Sequence, residues 1–296
     1  MGATASGKSA VALAVARSLG DVELLCVDSM QVYVGMDIGT AKPTVQEQQE
    51  ICHHLIDLAE PNEEFTVGRF QRAAKAALAD IAARGRRALL VGGTGLYMRA
   101  IIDDLQIPGR FGEVREQLDA EPDTVALHSR LLSLDPVAAQ RMEPTNRRRV
   151  VRALEVCLGA GRPFSSFGPG LDSYPPVDFE VVGLTWPREL LDQRIIARYA
   201  DQIAGGFVEE VAALTGRPAG LSASASQALG YRELLAHLAG SCTVEEAVIE
   251  AVRRTRRFAR RQERWFRRDP RIRWISGNDN PLVPAAELLR DWVECD

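Results

Sequence analysis

Short apolar runs alternate with amphipathic stretches over the first hundred residues of the chain. Val22–Val27 and Ala88–Val91 are brief, largely apolar segments, and a polar residue or a glycine follows each of them. This pattern is typical of strands buried in a parallel sheet. Between them, the alanine-rich stretch Phe70–Arg84 has helical periodicity and ends at Gly85. The strand–helix–strand order predicts an α/β fold, in which a parallel sheet is flanked by helices.

The pattern changes in the middle of the chain and then returns. From about residue 109 to 178, helical stretches alternate with Pro- and Gly-rich breaks and no strand pattern occurs, which predicts a helical insertion domain. The core is expected to span 1–108 and 179–296. Its second part contains two predicted strands and several predicted helices: strands at Val181–Thr185 and Arg271–Ile275, and helices at Arg188–Leu214, Gln227–Leu238, Thr243–Arg268 and from Ala285 onward.

The chain opens with a complete phosphate-binding motif, G-x-x-x-x-G-K-[ST]. Its glycines let backbone N–H groups converge on a phosphate, its lysine adds a positive charge, and its serine hydroxyl can hold Mg²⁺. The helical pattern of Ala10–Leu19 follows directly, so the positive end of a helix adds to the anion site. We therefore predict a P-loop NTPase-like core with Mg²⁺ as cofactor, Ser9 as metal ligand, and a phosphate or diphosphate site at Gly2, Thr4, Ala5, Ser6, Gly7, Lys8 and Ser9.

Only Met1 precedes this loop. A P-loop ordinarily connects a buried strand to its helix. The expectation from the sequence is therefore that the natural gene product begins upstream, with about five to eight apolar residues that form the strand before Gly2.

Composition narrows the class of protein. The chain has 296 residues, 46% of them hydrophobic and 26% charged, which is ordinary for a globular enzyme. It has neither an apolar run of about 18 residues nor a signal-peptide pattern, so we expect no membrane contact and a cytoplasmic location. Five cysteines are scattered singly, which predicts reduced thiols: Cys26, Cys52, Cys157, Cys242 and Cys295.

Positive charge is concentrated, although the net charge is −4. Nine arginines lie between Arg253 and Arg268, interleaved with aromatic residues, and Arg147–Arg149 with Arg152 form a second cluster. Arginines on a solvated helix face would be the simpler explanation, but the clustering favours local contact with nucleic acid.

Four side chains are candidates for chemistry. Asp28 follows a predicted strand at the sheet edge where α/β proteins bind ligands, although capping the next turn would equally explain it. Thr94, in Gly92-Gly93-Thr94-Gly95, could bind a ligand or cap a helix. Arg194 and Arg198, one helical turn apart, could clamp a diphosphate or face solvent.

Seven motifs occur in an order that closely resembles the bacterial tRNA dimethylallyltransferases, also called isopentenyltransferases. The resemblance covers essentially the whole chain, and the second and fourth motifs carry most of its specificity. The motifs are GATASGKS, DSMQVYVGMDIGTAKP, HHLID, GGTGLY, DPVAAQRMEPTNRRRVVRALEV, QALGYRE and TRRFARRQERWFRR.

This resemblance implies a reaction and its participants. The family transfers a dimethylallyl group from dimethylallyl diphosphate to N6 of the adenosine 3′-adjacent to the anticodon, in tRNAs that read codons beginning with U. The P-loop would hold the donor's diphosphate and not ATP, and Asp28 would be the base at the acceptor amine. Thr94 and Arg198 would also be catalytic, with Arg194 as the second candidate for the diphosphate contact.

The resemblance also implies how tRNA is held. A monomer is expected, and its partner would be the anticodon stem-loop of the tRNA. Together with the arginine-rich helix, the family motifs predict a tRNA-binding set: Asp28, Ser29, Met30, Gln31, Thr94, Arg148, Arg149, Val150, Val151, Arg152, Gln227, Gly230, Tyr231, Arg232, Arg256, Arg260 and Arg261.

Two other functions share some of these features. A P-loop small-molecule kinase would share the loop, the sheet and Mg²⁺, but the GGTGLY turn and the arginine-rich helix do not fit it. A non-catalytic RNA-binding P-loop protein is the third candidate. Labelled ATP and labelled dimethylallyl diphosphate, each with and without tRNA, distinguish all three.

Overall fold

The computed structural model describes residues 1–294 of the chain, which form two compact units. The first unit comprises Met1–Ile102 and the chain from Val177 onward, and the second is Asp103–Pro176. The insertion expected at 109–178 shares residues 109–176 with the second unit.

The helices and strands follow one another in three stretches. The first stretch contains α1 (Lys8–Leu19), β1 (Val22–Val27), α2 (Val45–Glu50), β2 (His53–His54), α3 (Val67–Ala83), β3 (Arg87–Gly92) and α4 (Gly95–Ile102). The second unit contains α5 (Gly112–Asp119), α6 (Thr124–Leu134), α7 (Pro136–Gln140), α8 (Arg147–Ala160) and a 3₁₀ turn at Phe164–Phe167. The last stretch contains β4 (Val182–Thr185), α9 (Arg188–Ala204), α10 (Phe207–Thr215), α11 (Ala223–Ser226), α12 (Tyr231–Leu238), α13 (Val244–Phe266), β5 (Arg273–Ser276) and α14 (Leu282–Glu294).

Strand β1 is the centre of a parallel sheet with the order β2-β1-β3. All six of its residues are buried, which explains why its sequence is almost continuously apolar. Strands β4 and β5 form a second parallel pair, and Gly2 makes an isolated parallel bridge to Leu184 of β4. The predicted α/β fold, with a parallel sheet flanked by helices, is confirmed.

Glycines account for two differences from the predicted helices. The single helix expected at Arg188–Leu214 is two helices, α9 and α10, because Gly206 adopts φ +95°, which interrupts helical geometry. The helix expected from Gln227 begins only at Tyr231, after Gly230 with φ +84°. Both α2 and the two-residue strand β2 are additional to the predicted elements.

The second unit is helical and has its own core. Buried side chains of α6 and α8 form its centre, among them Leu131, Val150 and Leu154. Asn146 caps α8 by accepting the N–H of Arg149. The loss of strand patterning in this part of the sequence therefore corresponds to a separate helical layer.

Two further expectations concern membrane contact and the cysteines. Among residues 1–294, none of the helices is long and apolar enough to cross a membrane. Four cysteines are free thiols, of which Cys26 and Cys157 are buried and Cys52 is exposed. Cys295 lies outside the described residues.

Candidate active site

A cavity of about 100 Å³ opens in the first unit, at the carboxyl ends of β1 and β3. The phosphate loop, the segment after β1, α9 and α13 all contribute to its wall. The cavity is lined by Thr4, Lys8, Ser9, Leu24, Cys26, Asp28, Gln31, Thr40, Ala41, Pro43, His53, Val91, Gly92, Arg198, Phe258 and Gln262.

The phosphate loop has the geometry of an anion cradle. Ala5 and Gly7 both adopt positive φ, at +61° and +81°, so the chain curls around its own backbone N–H groups. Helix α1 begins at Lys8 with no side-chain cap, which leaves its first N–H groups to a ligand. The Trp186 indole N–H donates to the Ser6 carbonyl at 2.8 Å and anchors the loop from outside. The buried Ser6 hydroxyl has no hydrogen-bond partner among the described residues.

Lys8 faces the cavity in an environment that disfavours its charge. Burial is the main cause that lowers the pKa of Lys8 to about 8; Asp28 opposes this effect, and the neighbouring Arg198 adds to it. Its Nζ donates to the Ala3 carbonyl at 3.3 Å. Two cations and one carboxylate leave a net positive charge in this part of the cavity. A polyanionic ligand would neutralise that charge and so stabilise the protonated form of Lys8.

The two candidate arginines have different roles. Arg198 lines the cavity and its Nη1 donates to the Thr4 hydroxyl at 3.1 Å. Arg194 instead donates from Nε to the Ala5 carbonyl at 2.9 Å, pairs with Asp279, and stacks 4.4 Å from the Trp186 ring. Of the two arginines, Arg198 therefore faces the cavity, whereas Arg194 holds the backbone of the loop.

Asp28 both caps a turn and lines the cavity. Its Oδ1 accepts the Met30 N–H at 2.8 Å, which satisfies the capping role that the sequence left open. The Thr94 hydroxyl accepts the Ser29 N–H at 3.2 Å, so the turn after β3 supports the turn after β1. The two alternatives for Asp28 are compatible, since a carboxylate has a second oxygen.

Gln31 and Lys42 hold the segment that follows Asp28. The buried Gln31 amide donates to the carbonyls of Thr40 and Ala41, at 3.1 and 3.0 Å. The buried Lys42 ammonium pairs with Asp37 and Asp57. Side chains within the 28–43 motif therefore stabilise the loop that this motif forms, and the Gln31 amide hydrogen-bonds to the backbone of that loop.

Glu210 fixes the tip of the same loop from α10. Its carboxylate accepts the N–H groups of Asp37, Ile38 and Gly39 at 2.9, 2.7 and 3.2 Å. It also accepts the Tyr231 hydroxyl at 2.6 Å. Burial and this carboxylate raise the pKa of Tyr231. Sequence reasoning missed Glu210 because it lies far along the chain in an ordinary helix.

Four predicted tRNA contacts are corrected by burial. The Val150 and Val151 side chains are fully buried in the core of the second unit, because they face inward on the amphipathic helix α8. Tyr231 is also fully buried, packed edge-on against Phe207, and Gly230 is buried beside it. None of these offers a side-chain surface to RNA.

The other predicted contacts divide by exposure. Arg152 is half-buried between the Glu155 carboxylate and the Pro108 carbonyl, at 2.6 and 2.8 Å. Arg256 is half-buried 3.6 Å from Asp192. The exposed members of the set are Arg148, Arg149, Gln227, Arg232, Arg260 and Arg261.

Two groups of side chains have donor atoms suited to a metal ion. One lines the cavity, and in the other the carboxylate is already paired with arginines. The Ser9 hydroxyl and the Asp28 carboxylate line the same cavity and are the hard donors that Mg²⁺ prefers. Ligand atoms of Glu23, Cys52 and His54 also lie within 4.8 Å of one another. However, Arg84 and Arg86 pair with the buried Glu23 carboxylate, and the Arg84 hydrogen bond helps lower its pKa to about 2. This second cluster is therefore an ion-pair network of the fold.

Comparison with known proteins places this site in a family. A family model described as IPP transferase matches residues 31–269. The tRNA dimethylallyltransferase of Thermobifida fusca is 48% identical over 98% of this chain and 92% of its own length. That of Streptomyces coelicolor is 45% identical over 99% of this chain and 94% of its own.

Solved structures agree with the sequence relatives. The tRNA isopentenylpyrophosphate transferase of Bacillus halodurans is 36% identical with a TM-score of 0.72, covering 99% of this chain and 93% of that one. A eukaryotic dimethylallyltransferase, solved acting on tRNA, is 25% identical with a TM-score of 0.82, covering 99% of this chain and 78% of that one. With its phosphate loop and Asp28 on one cavity, the chain belongs to the IPP transferase family, among relatives named tRNA dimethylallyltransferase.

Proposed function

We propose that this protein transfers the dimethylallyl group of dimethylallyl diphosphate to N6 of the adenosine 3′-adjacent to the anticodon, in tRNAs that read U-starting codons. The products are N6-dimethylallyladenosine and diphosphate. One observation carries the proposal: a cationic phosphate loop and the Asp28 carboxylate open onto the same cavity. Family membership supports the identity of donor and acceptor.

The donor half of the site stabilises a leaving diphosphate. When the allylic C–O bond breaks, its electron pair stays on the diphosphate. Lys8 and Arg198 line the cavity, and the uncapped N–H groups at the start of α1 lie in the adjoining loop, so these groups would stabilise that charge. Ser9 would hold Mg²⁺, which supplies further charge neutralisation there. We propose that this loop serves the donor's diphosphate in place of a nucleotide.

The acceptor half of the site needs a base because adenine N6 is a weak nucleophile. As the N6–C bond forms, an N6 proton passes to the Asp28 carboxylate, which later releases it to solvent. The adenine must leave the stack of the anticodon loop to reach this carboxylate, a modest cost for a single-stranded loop base. Thr94 holds the Asp28 turn in place through the Ser29 N–H.

The tRNA would be held mainly by exposed arginines. In the first unit, Arg260 and Arg261 project from α13 into solvent. In the second unit, Arg148 and Arg149 are exposed in the first turn of α8. Both pairs suit phosphate contacts with an anticodon stem-loop. We propose that the enzyme works as a monomer in the cytoplasm, on tRNA and without a membrane.

The test uses labelled substrates and a defined RNA. The protein is mixed with dimethylallyl diphosphate labelled in its prenyl group, or with labelled ATP, each with and without an anticodon stem-loop. We expect label in the RNA only from the prenyl donor, and digestion to nucleosides should yield N6-dimethylallyladenosine. A stem-loop with guanosine at the target position should stay unlabelled. Stoichiometric ATP consumption would instead identify a kinase, and RNA binding without transfer would identify a binding protein.

A further inference from the structure

Helix α13 carries one buried amide on its inner side, opposite its exposed arginines. The inner stripe is otherwise small or apolar apart from one threonine: Ala247, Ala251, Thr255, Ala259, Gln262 and Phe266 are buried. Thr255 has its own partner, the Tyr199 hydroxyl at 2.9 Å. Gln262 lines the active-site cavity and is only 7% exposed.

The Gln262 side chain connects two loops of the site. Its Oε1 accepts the Thr4 N–H at 2.8 Å, inside the phosphate loop. Its Nε2 donates to the Gly93 carbonyl at 2.7 Å, in the turn that ends β3. The orientation of the amide follows from these two partners, because the Thr4 backbone N–H can only donate and the Gly93 carbonyl can only accept. A Cβ at Gly93 would lie 2.5 Å from Nε2, so a side chain there would displace the Gln262 amide.

Each of these two contacts connects Gln262 to one half of the active site: the half that would bind the prenyl donor, or the half that would bind the acceptor adenine. Thr4 accepts the hydrogen bond from Arg198, on the donor side. Gly93 precedes Thr94, whose hydroxyl holds Ser29 beside Asp28, on the acceptor side. One neutral, buried side chain therefore spans the leaving-group site and the base. Its neutrality matters because a carboxylate here would repel the diphosphate and a cation would compete for it.

We infer that Gln262 is a positioning residue that sets the distance between the bound donor and the Asp28 carboxylate. This inference rests on the proposed transfer reaction and deepens it. Gln262 acts through Thr4 and Gly93, so its loss changes the relative placement of two sites that each remain intact. A misplacement of about 1 Å between reactants can cost about 10²-fold in rate.

The experiment measures single-turnover transfer to an anticodon stem-loop with both substrates saturating, together with both dissociation constants. Gln262→Met keeps the length and volume of the side chain but removes both hydrogen bonds. We expect its rate to fall about 10²-fold, with donor and RNA dissociation constants within a few-fold of wild type. Gln71→Met is the matched control, because Gln71 is a buried glutamine whose Nε2 donates to the Ala100 carbonyl outside the cavity lining.

Gln262→Glu provides a second, nearly isosteric variant should the methionine variant fail to fold. Its carboxylate keeps an acceptor for Thr4 but opposes the Gly93 carbonyl, whereas its protonated form regains the donor. The ratio of variant to wild-type rate should therefore rise as pH falls. The ionisable groups that line the same cavity, Lys8, Asp28, His53 and Arg198, are present in both proteins, so the wild-type pH profile is the reference against which this ratio is read.

The outcomes separate this inference from the proposed function. Wild-type transfer with an unchanged rate in both Gln262 variants would overturn the inference and leave the function standing. The same holds if the loss in Gln262→Met is entirely in a dissociation constant, or if Gln71→Met loses as much rate. A wild-type protein that transfers no dimethylallyl group would overturn both.

Discussion

The Arg198 guanidinium donates a hydrogen bond to the Thr4 hydroxyl at 3.1 Å, within the phosphate loop. This contact joins α9 to the loop on the side that faces the cavity. Arg194, one turn earlier, reaches the same loop from the opposite side through the Ala5 carbonyl. Two arginines of one helix therefore hydrogen-bond to the same loop, and of these two only Arg198 lines the cavity.

This division predicts different phenotypes for the two arginines. Arg198→Ala should lower the transfer rate by about 10²–10³-fold, the usual cost of removing one donor to a developing anion. Arg194→Ala should mainly lower the free energy of unfolding, by about 1 kcal/mol, because it leaves the partly buried Ala5 carbonyl without this donor and uncovers Trp186. Rates and urea melts on both proteins test this. Equal rate losses with equal stability losses would contradict it.

The lowered pKa of Lys8 predicts an alkaline limit for donor capture. The protonated ammonium binds diphosphate, and its population falls as pH rises through about 8. The donor kcat/KM, which reports the free enzyme, should therefore decline above about pH 8. Saturating donor raises the lysine pKa, so kcat should hold to higher pH.

Lys8→Arg is the control for this profile. A guanidinium stays charged beyond pH 10, so its profile should lose the decline near pH 8 even where its plateau is lower. A wild-type profile flat to pH 10 would refute the role assigned to Lys8.

Asp28→Asn should abolish most of the transfer while leaving binding intact. The amide oxygen can still accept the Met30 N–H, so the turn is preserved. What is lost is the proton acceptor, which typically costs about 10²–10⁴-fold in rate. Donor and tRNA dissociation constants should stay within a few-fold of wild type. A small effect on the rate with a large drop in melting temperature would contradict the role of Asp28 as the base and leave only its role as a turn cap.

Exposed arginines of α13 should govern the salt dependence of tRNA binding. Replacing Arg260 and Arg261 with alanine should weaken tRNA binding and flatten the plot of log affinity against log salt, by about one unit of slope per lost phosphate contact. Arg256→Ala is the internal comparison, because Arg256 is half-buried beside Asp192. Its slope should remain near that of wild type. Identical slopes for all three proteins would mean that Arg260 and Arg261 only face solvent.

Glu210 should matter more for stability than its ordinary position suggests. Glu210→Gln keeps the size of the side chain but gives up the charge that holds three backbone N–H groups. We expect a loss of about 1–3 kcal/mol in the free energy of unfolding. Tyr231→Phe, which removes only the hydroxyl bonded to Glu210, should lose less. Chemical denaturation of the two variants tests this order.

Local signals in the sequence determined much of this protein. The apolar runs of β1 and β3 are long enough to be recognised alone, and their parallel pairing follows from the helix between them. The phosphate loop is equally local, because its backbone geometry depends on glycines and a lysine within one short segment. Asp28 could be placed at the site because strand ends of a parallel sheet meet at one edge.

Only the tertiary structure decided which side chains share a wall of the site. Gln262 and Glu210 contact loops more than 160 positions away in sequence. Helical periodicity can indicate that such a residue faces the core, but it does not indicate which residue it contacts there. The same limit explains why Val151 and Tyr231 were expected to contact tRNA although both are buried. Helical spacing placed Arg194 and Arg198 on one face, but packing against the loop gave them different roles.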